Sequence, residues 1–180
     1  MGSLIEVVCF DWGDTLMKVL PDQTGPMAGW PEVEAMPGAT RVLRALRGRY
    51  RLAVLTTGGE SSEEQVRQAL RRVDLDRYFE RLILSRNLGL AKSDPEFYRA
   101  ALSILGCRPA AAVMVGDSLE NDVVAARQAG LRAVWYVPRP ETGGDAAGAR
   151  AAPARGRPEP DATIRDLAEL PGILDRWENE

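Results

Sequence analysis

The 180-residue chain is long enough for a single domain with a short appendage, and its 45% hydrophobic and 27% charged residues are the balance of an ordinary water-soluble fold. A net charge of −3 argues against nucleic-acid binding by bulk electrostatics, and no apolar run approaches the roughly 20 residues that cross a bilayer. There is no histidine, which excludes Ser-His-Asp and Cys-His catalysis, histidine-ligated zinc and a histidine general base, and leaves carboxylates, hydroxyls, Lys, Arg and backbone amides.

Leu4 to Phe10 is a short apolar, β-branched run, as expected of a strand buried on both faces, and it ends in the polar turn Asp11-Trp12-Gly13-Asp14-Thr15. Residues 17–37 are broken by Pro21, Gly25, Pro26, Gly29, Pro31 and Pro37, which predicts a short irregular flap. Apolar residues at 39, 42, 43 and 46 predict a helix over 39–47. A second buried strand covers 51–56, and Ser61 or Ser62 caps a helix running to about Val73. A third strand covers 81–84. Asp94-Pro95 opens a helix that Gly106 stops. A fourth strand over 111–115 leads through a loop to a helix ending at Gly130, and a fifth strand covers 131–137. Segment 138–160, rich in Pro, Gly and Ala, predicts a mobile surface loop. The closing segment, 163–178, carries an amphipathic helix that should dock on the sheet.

Strands alternating with helices predict an α/β fold, a three-layer α/β/α doubly wound parallel sheet in one domain over 1–180. In such sheets ligands sit beyond the C-terminal ends of the strands. Four strand ends or the loops that follow them carry unusual residues: Asp11, Asp14 and Thr15 after the first, Thr56-Thr57-Gly58-Gly59 after the second, Lys92 beyond the third, and Asp117-Ser118 with Asn121-Asp122 after the fourth. Carboxylates converging on one rim repel each other unless a cation joins them, and an all-oxygen set suits Mg²⁺. Thr56 and Lys92 are groups that bind phosphoryl oxygens, and the helix start after Gly59 adds anion affinity. Lys occurs only at 18 and 92 in a chain otherwise using Arg, which fits a compact point charge at 92.

Over residues 4–137 the chain resembles the haloacid dehalogenase superfamily. Val7 to Leu16 resembles its first motif, an apolar strand followed by D-x-D-x-T, and Leu52 to Thr56 resembles its second. Ala91-Lys92-Ser93-Asp94-Pro95 resembles the third, and Gly116-Asp117 with Asp122 the fourth, G-D-x-x-x-x-D. The resemblance implies a Mg²⁺-dependent phosphomonoesterase in which Asp11 is the nucleophile, forming an aspartyl-phosphate. It implies metal ligation by Asp11, the Gly13 carbonyl and Asp117, with Asp122 acting at the metal's edge or orienting Lys92. Thr56, Thr57 and Lys92 would hold the phosphoryl group.

The chain departs from the pattern at one point. Phosphatases of the superfamily place a second Asp two residues after the nucleophile, as general acid and base, and here that position is Gly13. Asp14 lies one residue further, and in an extended segment such a step turns a side chain to the opposite face. Three readings stay open. Asp14 reaches the site through an unusual turn; the enzyme relies on water or on good leaving groups; or the chain is a weak or inactive relative that binds a phosphorylated ligand or partner. A receiver-like phosphoacceptor is disfavoured, since the third strand ends in Ser85-Arg86-Asn87 with no Asp.

About twenty irregular residues stand where many members carry a cap domain, so the expected site is open, without a separate cap, to small or macromolecular phosphorylated substrates. Oligomerisation stays open as a way to complete it. Trp12, Met17, Met27 and Trp30 either pack the flap down or form an apolar wall at the entrance. Cys9 and Cys107 read as reduced thiols, the chain start shows no export signal, and the expected location is cytoplasmic.

Overall fold

The computed structural model describes residues 5–139 and 156–179. Most of the loop expected over 138–160 therefore lies outside the described residues. Six parallel strands form one sheet in the order β3-β2-β1-β4-β5-β6: β1 Val7–Phe10, β2 Arg51–Thr56, β3 Arg81–Leu84, β4 Ala112–Gly116, β5 Arg132–Tyr136 and β6 Ala162–Ile164. The register of the central strands pairs Phe10 with Val54 on one side and Val115 on the other, so the ends of β1, β2 and β4 lie within two residues of one another.

Successive side chains of a strand face opposite layers. Val8, Phe10, Val54 and Val115 enter one core with the buried faces of α1 (Ala39–Leu46), α2 (Glu63–Arg72) and α6 (Leu170–Glu178). Val7, Cys9, Leu55 and Met114 enter the other, with α4 (Pro95–Leu105) and α5 (Ala125–Gln128). α3 (Ser85–Leu88) is a single turn after β3. The three-layer doubly wound sheet is thus the observed architecture.

Local chemistry explains the helix ends. Ser62 caps α2, its hydroxyl accepting from the Gln65 amide while the Gln65 side chain accepts from the Ser62 amide. Asp94 caps α4 with Pro95 at the first position, and Gly106 ends it in the left-handed conformation. α6 docks through Leu170, Ile173, Leu174 and Trp177. Two details were outside the sequence reading: Ala162–Ile164 joins the sheet as an edge strand beside β5, and the helix after β4 opens with a π-helical stretch, Leu119–Val124. Both cysteines are free thiols, and burial pushes that of Cys9 up.

Residues 17–37 lie over one rim of the sheet. Met17 pairs with Ala35, Lys18 N–H donates to the Glu34 carbonyl, and one 3₁₀ turn spans Met27–Gly29. Met17, Met27 and Trp30 are buried here, as is Trp12 in the preceding turn. Arg72, at the end of α2, fixes the segment from outside by donating to the carbonyls of Ala28, Trp30 (2.6 Å) and Pro31 (2.9 Å).

Candidate active site

β1 has β2 on one side and β4 on the other, so the chain reverses its winding there and the strand ends open a crevice at that switch point. Asp11 follows β1, its amide donating to the Val115 carbonyl at 2.9 Å, which ties it to β4. Asp117 follows β4. Its carbonyl accepts from the Trp135 indole at 3.0 Å, and the Thr15 hydroxyl stands 3.5 Å from its carboxylate. Asp122 sits on the π-helical stretch. Its Oδ2 accepts from the Ser118 amide at 2.9 Å, and its own amide donates to the Ser118 carbonyl.

A glycine at 116 is what admits this carboxylate. A Cβ at that position would lie 2.2 Å from Asp122 Oδ2, so Gly116 is the floor on which the Asp122 head rests.

Lys92 reaches into this acidic group, its side chain only 2% exposed, with Nζ 2.5 Å from Asp11 Oδ1 and 2.6 Å from Asp122 Oδ1. The bond to Asp11 is an aligned hydrogen bond. The approach to Asp122 is an ion pair by distance but not an aligned bond, and Asp122 Oδ1 has no hydrogen-bond partner among the described residues. Burial works against the charge on Lys92, but the carboxylates of Asp11 and Asp122 outweigh it and raise its pKa. At Asp122, burial wins: it pushes the carboxyl up to about 7 against the pull of Lys92, with the negative charge of Asp11 adding. One ammonium between two carboxylates leaves an excess negative charge in the group.

The residues present fit a divalent ion. Asp11, Asp117 and Asp122 each offer a carboxylate oxygen, all within 4.8 Å of one another. Ligands about 2.1 Å from an octahedral ion lie about 3 to 4 Å apart, so the spacing suits a hard cation among oxygen donors. Three carboxylates with one ammonium among them leave an excess negative charge that calls for one. The Asp14 amide donates to the Met17 carbonyl and the amides of Leu16 and Met17 to the Trp12 carbonyl, so among the described residues none of these donors uses the Gly13 carbonyl.

Across the crevice, Thr56 ends β2, and its hydroxyl accepts from the Gly58 amide at 3.1 Å, which leaves its own O–H to donate. The loop turns back through Gly58 at φ +76°, where a Cβ would also strike Leu84 at 2.7 Å. Thr57 lies exposed on the same loop. The amide of Gln65 in α2 is already claimed by Ser62, so the helix start offers an anion less than the sequence suggested.

Asp14 adopts the left-handed conformation at φ 56°, and its Oδ1 accepts from the Val19 amide at 3.0 Å. Its carboxylate borders the crevice while holding the flap. A Cβ on Gly13 would lie 3.0 Å from Val19 Cγ2, so an apolar methyl stands beside the position where a second acid would begin. Sequence reasoning singled out Gly13 but not Val19, because nothing in a half-exposed valine of an irregular segment signals it.

The family model for haloacid dehalogenase-like hydrolases matches residues 18–130. The chain belongs to this family. Among curated relatives of this chain, the phosphoserine phosphatase of Thermus thermophilus is 38% identical over 106 residues, which is 59% of this chain and 39% of the relative. The pyrimidine 5'-nucleotidase YjjG of Escherichia coli is 37% identical over 101 residues, 56% of this chain and 44% of the relative. The chain thus spans about two-fifths to half of the length of the curated relatives it matches. Among solved structures, a HAD phosphatase from Thermococcus onnurineus superposes with a TM-score of 0.62 at 31% identity, over 79% of this chain and 59% of that one. The fold is also that of a 2-haloacid dehalogenase from Pseudomonas syringae pv. Tomato DC3000, TM-score 0.74 at 23% identity, over 97% of this chain and 100% of the other.

Proposed function

We propose that this hydrolase is a Mg²⁺-dependent phosphomonoesterase that carries the phosphoryl group on Asp11. The observation behind it is the convergence of Asp11, Lys92, Asp117 and Asp122 on one crevice at the switch point, with Thr56 opposite. The activities that name its relatives, phosphoserine phosphatase and nucleotidase among them, favour the same chemistry.

Asp11, Asp117, Asp122 and the Gly13 carbonyl would hold Mg²⁺, which neutralises phosphoryl oxygens and the carboxylates around them. Lys92 neutralises a further oxygen and keeps the Asp11 carboxylate in place through its 2.5 Å bond. The Thr56 hydroxyl and the Thr57 loop would orient the phosphoryl group. An Asp11 carboxylate oxygen bonds to phosphorus as the ester P–O bond breaks, and the organic oxygen leaves with that electron pair. Water then attacks the phosphorus of the aspartyl-phosphate, releasing phosphate and restoring the carboxylate. In this reading residues 17–37 serve as a flap over an otherwise open site, and Asp14 is the carboxylate outside the metal set that stands next to Gly13. The family's usual general acid is missing at Gly13, so the leaving oxygen departs with less help. That lowers the rate by up to about 10²–10⁴-fold without changing the route.

Turnover of p-nitrophenyl phosphate, measured with Mg²⁺ and with chelator, tests the proposal. Activity should require the metal and fall below detection in Asp11→Asn. Undiminished activity in chelator, or an unaffected Asp11→Asn, would exclude it.

A further inference from the structure

We propose that the organic half of the substrate is uncharged and apolar, aromatic by preference, and that a second anionic group on it is excluded. The inference rests on the phosphohydrolase reading and names its substrate class.

The crevice is a cavity of about 340 Å³ with two unlike sets of lining side chains. One set is Asp11, Lys92, Asp117 and Asp122. The other is an apolar wall of Trp12, Val19, Met27 and Trp30 from the first turn and the flap. The polar atoms of both indoles are already spent: Trp30 Nε1 donates to the carbonyls of Thr24 and Gly25, and Trp12 Nε1 lies 3.2 Å from Met17 Sδ. What these rings and the neighbouring side chains offer the cavity is carbon. The wall is also set in advance, because the three bonds from Arg72 hold the backbone of residues 28–31 from behind. An apolar group therefore gains contact area without ordering the wall.

Charge points the same way. Among the described residues Lys92 is the cavity's one basic side chain, and Asp11 and Asp122 already hold it. Among the described residues no arginine lines the space, although the chain is rich in arginine. The two lining carboxylates outside the acidic metal cluster, Asp14 and Glu60, border it too. A carboxylate or second phosphate on the organic half would give up its water for a cleft that supplies no partner cation and two like charges.

The test is calorimetric titration of the Mg²⁺-loaded full chain with three non-hydrolysable probes: methylphosphonate, benzylphosphonate and 4-carboxybenzylphosphonate. Benzylphosphonate should bind about tenfold tighter than methylphosphonate. The carboxylated probe should lose that gain or more. Glu60→Gln should narrow the gap between the two aromatic probes. Val19→Lys, a change at a half-exposed position that puts an ammonium on the wall, should bring the carboxylated probe level with benzylphosphonate or past it. Equal affinity of methyl- and benzylphosphonate, or tighter binding of the carboxylated probe to the unmodified chain, overturns the proposal and leaves the phosphohydrolase reading intact. Failure of all three probes to bind overturns the proposal through the reading beneath it.

Discussion

Replacing Lys92 by Met keeps the length of the side chain and removes the one cation between two carboxylates. Nζ lies 2.5 Å from Asp11 and 2.6 Å from Asp122, in a pocket where the lysine side chain is 2% exposed and that of Asp122 is 1% exposed. Deleting one partner of a buried ion pair costs about 3–5 kcal/mol, because the other charge stays behind unpaired. Protonation of Asp122 limits that cost. Its folded pKa, near 7, lies above the unfolded value of about 3.9, so its contribution to stability is full below about pH 4 and is lost as pH rises through 7. Without the ammonium that upper limit moves higher, and the penalty becomes strongly pH-dependent. At pH 5 the variant should lose about 1–2 kcal/mol, mostly the partly exposed contact to Asp11. At pH 8 it should lose about 3 kcal/mol or more, a fall in Tm of about 6–12 °C for a chain of this size. Urea unfolding at both pH values, in chelator, measures the difference. Added Mg²⁺ should recover part of the loss at pH 8, since it supplies positive charge to the same oxygens. A Lys92→Met chain as stable as the parent at pH 8, or one penalised more at pH 5, would refute the view that this ammonium holds the acidic group together.

Two further outcomes follow from contacts at the rim. Gly116→Ala places a methyl 2.2 Å from Asp122 Oδ2, so the carboxylate must move; stability should fall by about 1–3 kcal/mol and Mg²⁺ affinity at least tenfold, read by calorimetry. With no side chain at 13, kcat/KM for a series of substituted phenyl phosphates should fall steeply as the phenol becomes less acidic. Gly13→Asp combined with Val19→Ala, which clears the methyl 3.0 Å from the new Cβ, should flatten that dependence; an unchanged slope would mean that position 13 does not face the leaving oxygen.

The alternation of apolar runs with capped helices was enough to read the doubly wound sheet, because each strand of the central four is a continuous run buried on both faces. Ser62, Asp94-Pro95 and Gly106 marked helix ends where the structure has them. Three residues of β6 were too few to carry a periodic signal, and the single turn of α3 looked like the end of a strand. The acidic residues and Lys92 stood out in sequence because each follows a buried run, and the structure brings 11, 92, 117 and 122 within ion-pair or ligand distance. What stayed hidden depends on distant partners. Arg72 reads as one more arginine on the polar face of a helix until its bonds to Ala28, Trp30 and Pro31 are seen. Val19 gains meaning only beside the missing side chain of Gly13.

That arginine has a mechanical consequence. α2 begins just beyond the Thr56–Gly59 loop and ends at the guanidinium that grips the flap. A single rigid rod therefore runs from the loop that carries Thr56 to the backbone of the Trp30 segment. The distance between those two grips is set by helix geometry rather than by the flap's own stiffness, about 15 Å for ten residues. Lengthening or shortening that helix by a turn would move the Arg72 grip by about 5.4 Å relative to the Thr56 loop.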